Sequence, residues 1–406
     1  MAMPREKIMG NNKSSRNGRL CHVITTPAYL SSGIRTRLEA GIAKKNGFEV
    51  DLVTGWGMYD SQLISKKTPG IKEITNKYLT KYIYPHKDFL ALVSLYTHFK
   101  KNRYEIVQTH LSKAGIIGRL AAHLAGVPII IHDVAGFGFP TNNSHKYLFY
   151  LTLERLVGRL TTHYIFYADH LKETYISNKI GNQAIKKVFL PGMNLSRFYE
   201  APTLEPETRA QYRAKWGLCP DDLVFGYVSR MVRSKGVHYL IEAFNLLKRK
   251  HSHCKLLLVG GPLWPEEITY LDNLKQLISR YGLDEDVIFT GHQSNILDFY
   301  QMMDIFVMPS LYEGTANVML EAICTGLPIL AFEIPAVLEF APKGTITCPV
   351  GDIQGLSRIM MKALGNGQAK VNLPNPSKSF RKNLAESFSP FSWERKLTKF
   401  YNDIRS

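Results

Sequence analysis

Short apolar runs rich in β-branched residues alternate with longer amphipathic segments through the first half of the chain. The apolar runs predict six buried strands, at 19–26, 48–55, 104–110, 127–134, 162–168 and 186–192. Segments with helical spacing lie between most of them, at 33–46, 113–125 and 145–159. Strands that alternate with helices in this way are typical of βαβ units around a parallel sheet.

The alternation stops at residues 190–207, where turn formers are followed by acidic residues, and we interpret this interruption as a linker. Beyond it the pattern begins again. Apolar runs predict five more strands, at 223–230, 254–261, 286–292, 305–310 and 327–332, with helices at about 236–250, 266–281 and 316–325. The final segment, 386–406, has the pattern of one amphipathic helix.

A chain of 406 residues is too long for one ordinary core, so at least two domains are expected. We predict an α/β protein with two Rossmann-like parallel-sheet domains facing each other across a cleft. The expected segments are a disordered basic tail at 1–18, a first domain at 19–195, a linker at 196–219, a second domain at 220–385 and the last helix at 386–406.

The overall composition indicates the cellular compartment and the distribution of charge. No apolar run is long enough to span a membrane, the first twenty residues do not resemble a secretory signal, and the five cysteines are scattered, so a reduced, cytoplasmic protein is expected. Residues 1–200 contain 28 Lys and Arg against 13 Asp and Glu, whereas residues 201–406 contain 23 against 21. The basic first half indicates a polyanionic partner: nucleic acid, an anionic membrane surface or a phosphorylated substrate.

The segment 77–101 places aromatic residues and leucines among lysines and histidines. This pattern fits an amphipathic surface lying on an anionic membrane, and it fits a pair of core-facing helices equally well. With the basic balance of the first half, it makes peripheral attachment to the inner face of the cytoplasmic membrane a reasonable hypothesis.

The stretch 312–328, YEGTANVMLEAICTGLP, carries Glu313 before a predicted helix and Glu321 inside it. Eight helical residues span about 12 Å, roughly the length of a diphosphate with one group at each end. The backbone N–H groups of residues 314–318 are unpaired at a helix start and suit a phosphate. A nucleotide-diphosphate sugar fits this arrangement, with one carboxylate on sugar hydroxyls and the other on the ribose. Taken alone, the pair also fits a capping carboxylate and a solvated helix residue.

Two cations lie where the second half has another strand–loop–helix junction. Arg230 follows a predicted strand and Lys235 precedes the glycine that opens the next helix. Such a pair can hold a diphosphate, although ordinary surface cations have the same pattern. Gly291 and His292 follow another strand, where the edge of a base could meet the backbone.

These motifs occur in order together with LLLVGGP, VIFTGH and VGD, and the set resembles the donor half of the retaining glycosyltransferases of family 4. The segments 22–55, 107–132 and 188–198 resemble that family's acceptor domain and linker. The resemblance implies the GT-B fold, with the last helix crossing back to the first domain. It also implies sugar transfer from a nucleotide sugar, retention of anomeric configuration, and no metal or cofactor.

The resemblance also assigns roles to residues. It places Arg230 and Lys235 on the diphosphate, Glu313 on the donor sugar and Glu321 on the ribose, while Gly33 lets backbone approach the phosphate. The donor-binding loop between the two glutamates then comprises Gly314, Thr315, Ala316, Asn317 and Val318, with His292 nearby.

One departure concerns the acceptor side. Related enzymes often have His-x-x-His-Gly where this chain has His132, Asp133 and then Ala135 before a glycine. His132 and Asp133 are candidates to polarise the acceptor hydroxyl or contact the donor sugar, and His110 is a further acceptor-side candidate. The Asp-Glu-Asp sequence at 284–286 resembles a metal-binding motif, but its place in the fold plan predicts a loop far from the cleft.

The leading hypothesis is a UDP-dependent glycosyltransferase, with GDP as the second choice of nucleotide. Relatives with this resemblance act on lipid-linked saccharides in capsule, exopolysaccharide or lipopolysaccharide synthesis. The alternatives are a nucleotide-sugar epimerase of the same fold, and a basic nucleic-acid- or membrane-binding protein with a vestigial site. A pyridoxal-dependent phosphorylase lacks a convincing lysine signature here, and no zinc or aromatic RNA-binding pattern supports nucleic-acid binding.

Overall fold

The computed structural model describes residues 18–26, 31–56, 69–136, 144–364, 371 and 373–405. The predicted tail at 1–18 therefore lies almost wholly outside the described residues. In the first half the elements are β1 (Arg19–Ile24), α1 (Ser31–Lys45), β2 (Glu49–Gly55), β3 (Lys72–Asn76), α2 (Pro85–Asn102), β4 (Ile106–His110), α3 (Ser112–Ala125), β5 (Ile129–Val134), α4 (Ser144–Gly158), β6 (His163–Phe166), α5 (Asp169–Ser177) and β7 (Ile185–Val188).

The second half of the chain begins with two short connecting helices, α6 (Ser196–Tyr199) and α7 (Pro206–Ala214). They are followed by β8 (Leu223–Val228), α8 (Val237–Lys248), β9 (Cys254–Val259), α9 (Pro265–Tyr281), β10 (Val287–Phe289), α10 (Ile296–Met302), β11 (Ile305–Met308), α11 (Asn317–Thr325), β12 (Ile329–Phe332), α12 (Pro335–Phe340), β13 (Ile346–Cys348), α13 (Ile353–Lys362), α14 (Lys378–Ser387) and α15 (Pro390–Asp403). The segment predicted as a linker at 196–219 thus contains α6 and α7.

Each half is built on one parallel sheet. The first sheet has the order β3-β2-β1-β4-β5-β6-β7 and the second has β10-β9-β8-β11-β12-β13. In both sheets the chain first builds away from a central strand on one side and then returns to build on the other. The central pairs β1/β4 and β8/β11 are therefore the switch points where parallel sheets bind ligands, and the predicted α/β architecture is confirmed.

The two faces of the first sheet contact different helices. On β1, Leu20 and Ile24 pack in a core with α1 and α15, whereas Cys21 and Val23 pack in a second core with α2 and α3. Successive side chains of a strand point to opposite faces. Because helices cover both faces here, both sets of side chains are buried and apolar. A continuous apolar run is the expected sequence of a strand covered by helices on both sides.

Sequence patterns missed two of the four edge strands, β3 and β13. Strand β3 has the sequence KEITN, in which the exposed Lys72 and the half-buried Glu73 carry charge, as is common in a strand with one unpaired edge. Strand β13 has only three residues and also lies at an edge. Neither contains the apolar run on which the other strand predictions depended.

The prediction of one helix at 386–406 was wrong. Helix α14 ends at Ser387, and α15 begins at Pro390, which cannot continue a preceding helix because it has no backbone N–H. Ser389 caps the new helix by accepting a hydrogen bond from the backbone N–H of Ser392.

The predicted crossing of the last helix is confirmed. Four side chains of α15 are buried in the α1 side of the first sheet: Trp393, Leu397, Phe400 and Tyr401. Lys45 of α1 forms an ion pair with Glu394 of α15, with 2.7 Å between Nζ and Oε1. None of the described helices combines the length and the apolar composition needed to cross a bilayer.

Candidate active site

The predicted donor residues gather at the carboxyl edge of the second sheet. Strands β8 and β11 are neighbours, so the loops that follow them lie side by side at the switch point. Arg230 follows β8, Lys235 closes the 3-10 turn Arg233–Lys235, and Glu313 lies in the loop between β11 and α11. The fold therefore brings together Lys235 and Glu313, which are 78 positions apart in sequence.

Lys235 and Glu313 form an ion pair across this junction, with 2.5 Å between Nζ and Oε1. The same carboxylate oxygen accepts a hydrogen bond from Ser310 Oγ at 2.8 Å, and Ser310 lies 2.6 Å from the buried Tyr227 hydroxyl. Gly236, with φ of +67°, follows the lysine, and a Cβ atom there would collide with the carbonyl of Pro309. The turn that carries Lys235 is thus pressed against the end of β11, and the ammonium group is held at one place.

The loop between the two glutamates leads into α11, which begins at Asn317. Ala316 has a left-handed backbone, with φ of 49° and ψ of 48°, and Thr315 Oγ1 donates to Asn317 Oδ1 at 2.5 Å. The Met319 N–H donates to the Ala316 carbonyl at 2.8 Å, whereas the N–H groups of Asn317 and Val318 precede the regular helical hydrogen bonds and suit an anion. Gly314 and Val318 complete the predicted donor loop at this helix start.

Glu321 lies on the second turn of α11 and accepts a hydrogen bond from the Tyr300 hydroxyl at 2.8 Å. Burial raises the pKa of Glu321 to about 7, although the hydrogen bond from Tyr300 and the charge of Arg197 oppose this shift. A carboxyl group with this pKa changes its charge near neutral pH. The two glutamates thus differ, since Glu313 is paired with Lys235 and Glu321 has no ion pair within the described part of the chain.

Arg230 has a partner that sequence reasoning missed. Its Nη1 donates to Glu267 Oε1 at 2.8 Å, and the other carboxylate oxygen accepts from the Leu263 backbone N–H at 2.7 Å. Glu267 is buried in the first turn of α9, while the arginine remains about half exposed at 46%. The signal in the sequence was a carboxylate just after Pro265, which is typical of a helix start.

His292 lies in the same region but remains exposed. It follows Gly291, which has φ of +68° and pairs with Gly260 in an isolated bridge beyond the ends of β9 and β10. Gly33 lies in the first turn of α1, beyond the end of β1, and is buried. Both residues lie at the carboxyl edges of their sheets, as the predicted donor contacts require.

His132 and Asp133 are consecutive on β5 and point to opposite faces of the first sheet. His132 is buried beneath α3, where its Nδ1 lies 2.9 Å from Thr109 Oγ1 and 3.1 Å from the Thr109 carbonyl oxygen. Gly115 on α3 leaves room for the ring, because a Cβ atom there would collide with it. Burial, aided by the charge of Arg119, lowers the pKa of His132, so the imidazole is neutral near pH 7.

Asp133 belongs to a buried polar cluster on the α1 side of the sheet. Gln108 Nε2 donates to both oxygens of Asp133, at 3.0 and 2.9 Å, and to Glu39 Oε2 at 3.0 Å. Burial and the adjacent Asp133 raise the pKa of Glu39. Burial alone would raise the pKa of Asp133, but His110 and the surrounding hydrogen bonds outweigh it and lower the value. Of the two carboxyl groups, Glu39 is therefore the one that holds a proton more tightly.

His110 connects this cluster to the cleft side of β4. Its Nδ1 lies 3.2 Å from Asp133 Oδ2 and its Nε2 lies 3.0 Å from Nδ1 of the buried His22. The possible ligand atoms of His22, Glu39 and His110 all lie within 4.8 Å of one another, which is within reach of one cation. His110 lies 3.0 Å from His22 Nδ1 and 3.8 Å from Glu39 Oε2, while Nε2 of His22 is buried without a hydrogen-bond partner among the described residues.

The Asp-Glu-Asp loop lies away from this region. Asp286 precedes β10, at the amino edge of the second sheet, and forms ion pairs with Lys248 at 2.8 Å and Lys255 at 2.9 Å. The prediction that this sequence is a loop remote from the cleft is confirmed.

The two halves meet close to the donor loop. A Cβ atom on Gly314 would collide with the carbonyl oxygen of Ala135, and one on Gly136 would lie 3.3 Å from the Tyr312 hydroxyl. A cavity of about 220 Å³ beside this contact is lined by residues of both halves, including His132, Asp133 and Tyr312. The predicted acceptor-side residues and the loop that carries Glu313 therefore border one space.

Comparison with known proteins gives a consistent result. Residues 208–383 match the family described as glycosyl transferases group 1. The chain is 30% identical over 288 residues to the UDP-Gal:alpha-D-GlcNAc-diphosphoundecaprenol alpha-1,3-galactosyltransferase of Escherichia coli, covering 68% of this chain and 72% of that one. It is 25% identical over 394 residues to the capsular polysaccharide biosynthesis glycosyltransferase CapM of Staphylococcus aureus, covering 95% and 97%.

A solved structure shows the same fold over nearly the whole chain. Anabaena Alr3699/HepE in complex with UDP superimposes with a TM-score of 0.72 at 18% identity, covering 95% of this chain and 100% of that one.

Proposed function

Because this chain belongs to the group 1 glycosyltransferases, we propose that it transfers a hexose from a UDP-sugar to a hydroxyl group with retention of configuration. The acceptor in this proposal is a saccharide on a polyprenyl diphosphate, in the assembly of a bacterial surface polysaccharide. The nucleotide is supported by the UDP complex of the Anabaena structure, and the acceptor by the diphosphoundecaprenol substrate named for the Escherichia coli relative. The capsular relative supports the pathway class.

The observation that carries the proposal is the arrangement around the start of α11. Glu313 lies before the helix beside Lys235, and Glu321 lies on its second turn beside Tyr300. Between them are the N–H groups of Asn317 and Val318 at the helix start, which suit a diphosphate. In the proposed complex Glu313 contacts the donor sugar, Glu321 accepts hydrogen bonds from the ribose hydroxyls, and Arg230 joins Lys235 on the phosphates.

The proposed reaction does not require a strongly basic side chain. The bond between the anomeric carbon and the diphosphate oxygen breaks, and the acceptor oxygen forms its bond on the same face of the sugar. The proton of the acceptor hydroxyl passes to the departing phosphate oxygen. Lys235 and Arg230 would stabilise the charge on the leaving diphosphate, and groups of this kind are typically worth about 10²- to 10³-fold in rate.

We assign His132 a role in positioning the reacting sugars. Its Nδ1 hydrogen can donate to the Thr109 carbonyl, which leaves Nε2 as an acceptor for a sugar hydroxyl. Its lowered pKa keeps it neutral for this contact. Asp133 orients His110 from beneath, and His110 is proposed to act on the acceptor side.

Thermal unfolding in the presence of UDP, GDP or ADP, with and without EDTA, tests the donor assignment. A nucleotide at a hundredfold excess over its Kd should stabilise the protein by about 2.7 kcal/mol. We expect UDP to do so in EDTA, and the Glu321→Ala variant to lose the effect. Stabilisation by none of the three would remove the basis of the proposal. The anomeric configuration of the product, read by NMR, tests retention separately.

A further inference from the structure

Helices α2, α3 and α4 form one layer on the face of the first sheet opposite α1 and α15. This follows from the strand order. The connection from β1 to β2 moves across the sheet in one direction, and the connections from β3 to β4, β4 to β5 and β5 to β6 move in the other. Because all such connections are right-handed, the helix of the first lies on one face and the helices of the other three lie on the opposite face. The water-facing side of this layer, called the outer face below, carries large apolar side chains. They are Phe89, Leu90 and Val93 on α2, Leu124 on α3, and Leu148, Phe149 and Leu156 on α4, with 41–64% of each exposed.

Helix α2 is apolar on two sides. Ala91, Leu95 and Phe99 are buried, and these repeat at the spacing of one helix face against the core with α3. Phe89 and Leu90 point away from that core, and Phe89 is 64% exposed. The loop before the helix adds exposed Tyr82, Ile83 and Tyr84. Single exposed apolar residues are ordinary, but a group of this size marks an interaction surface.

Most charged residues of the same helix layer are basic. The sequences of α2, α3 and α4 contain seven Lys and Arg and only two acidic residues. Both acids are neutralised inside the layer, Asp88 by Lys113 at 2.6 Å and Glu154 by Arg119 at 2.7 Å. Within these three helices the described carboxylates therefore offer nothing to repel an anion.

A basic groove adjoins the apolar residues of α4. Arg155, Arg159 and Lys179 line a surface groove of about 630 Å³ beside Leu156. Three cations beside the exposed Leu156 match the chemistry of a lipid surface, with anionic headgroups above apolar chains.

We propose that the outer face docks on an anionic phospholipid bilayer, with Phe89 and Leu90 entering the headgroup region and the surrounding lysines and arginines on the lipid phosphates. The charge complementarity favours a membrane over a second copy of this chain, whose outer face would carry the same positive charge. In this arrangement the apolar side chains reach the boundary between the headgroups and the acyl chains, and no part of the protein crosses the bilayer.

This location has a consequence that rests on the function proposed above. Helices α2, α3 and α4 follow β3, β4 and β5, so their amino ends lie at the carboxyl edge of the sheet, next to the cleft. Phe89, Leu148 and Phe149 are in the amino-terminal halves of their helices. A lipid-linked acceptor could then present its saccharide to the cleft while its chain stays in the bilayer.

Flotation of the full chain with vesicles of phosphatidylcholine, alone or mixed with phosphatidylglycerol, tests the docking. We expect binding to the anionic vesicles only. The Phe89→Ser/Leu90→Ser variant should reduce partitioning at least about tenfold, because two exposed side chains lose their apolar contact. The Lys100→Glu/Lys101→Glu variant should reduce it by at least about fivefold per residue.

Matched controls come from other surfaces of the same protein. Phe391, 76% exposed on α15, lies on the opposite face, so Phe391→Ser should float like the wild type. Lys275→Glu, on α9 in the second half, should also have little effect. Thermal unfolding of every variant confirms that the fold is intact.

Three results would overturn the docking proposal. The first is that the wild type does not float with anionic vesicles. The second is that Phe391→Ser loses as much vesicle binding as Phe89→Ser/Leu90→Ser. The third is that the wild type is a dimer by size exclusion, which Phe89→Ser/Leu90→Ser converts to a monomer while vesicle binding is unchanged. UDP-induced stabilisation, measured on the same samples without vesicles, reports on the donor site alone. A failure of docking is therefore distinguishable from a failure of the proposed activity.

Discussion

The charge state of Glu321 should control how tightly the protein binds a UDP-sugar. The ribose hydroxyls donate hydrogen bonds, so they favour the ionised carboxylate over the protonated form. Burial raises the pKa of this group to about 7, and the carboxyl is therefore largely protonated at pH 6 and largely ionised at pH 8. We expect affinity to fall as the pH falls.

The size of the effect follows from this pKa. With a pKa of about 7 the ionised fraction falls from about nine-tenths at pH 8 to about one-tenth at pH 6, so the apparent Kd should rise up to about tenfold. Tyr300→Phe removes a hydrogen bond that lowers the pKa of Glu321. A hydrogen bond to a charged group is worth about 1.5–3 kcal/mol, so this variant should move the midpoint upward by about one to two pH units.

The assay is isothermal titration with a UDP-sugar between pH 6 and pH 8. A UDP-sugar is preferable to UDP, because its diphosphate has no secondary ionisation near neutrality. Glu321→Gln is the control, since it keeps the shape and cannot titrate, and its affinity should be weaker at pH 8 and nearly independent of pH. A slope that persists in Glu321→Gln, or a flat wild-type profile, would refute the reasoning.

The unliganded protein should show the opposite trend. A carboxyl group whose pKa is raised on folding contributes stability that is present below its ordinary value of 4.5 and is lost as the pH rises to about 7. The contribution of Glu321 to the thermal midpoint should therefore decline over this window, and Glu321→Gln should remove the decline.

Three further predictions concern other parts of the molecule. Lys235→Ala should lower kcat by about 10²- to 10³-fold in a transfer assay, because the leaving charge loses its point-charge partner, whereas the exposed neighbour Arg233→Ala should have little effect; equal losses would contradict the assignment. Glu267→Gln should weaken UDP binding by up to about fivefold while leaving uridine binding unchanged, because the Glu267 carboxylate orients Arg230 toward the phosphates. An equal effect on uridine would indicate a structural role only. Arg119→Met should lower the free energy of unfolding by about 3–5 kcal/mol in urea titrations by leaving Glu154 buried and unpaired, and adding Glu154→Leu should restore most of it; no recovery would refute the pairing argument.

The donor side of the site could be predicted largely from sequence because its residues lie in local strand–loop–helix patterns. Glu313 and Glu321 share one loop and helix, and Arg230 and Lys235 share another. Strands such as β8 and β11 were evident because helices cover both of their faces, which requires continuous apolar sequence.

The acceptor side could not be predicted in the same way. Glu39, Gln108 and Tyr401 come from α1, β4 and α15, and each alone looks like an ordinary polar residue of its element. Only the fold places them in one buried cluster, where burial raises the pKa of Glu39 and of Tyr401. The sequence also did not reveal that His132 faces α3. Strand β5 is buried on both faces, so its residues do not alternate between apolar and polar, and the pattern cannot indicate which side chain points to which helix layer.

The contact of α15 with the first half has a consequence for synthesis on the ribosome. The Tyr401 hydroxyl donates to Gln108 Oε1 at 2.7 Å, across 293 residues of sequence, and Trp393 and Phe400 fill the same core. Until residues 390–403 have been translated, the α1 side of the first sheet lacks these side chains and leaves apolar surface open to water. The nascent first half should therefore stay loosely packed and dependent on chaperones while the whole second half is made, and the two halves should become fully ordered together.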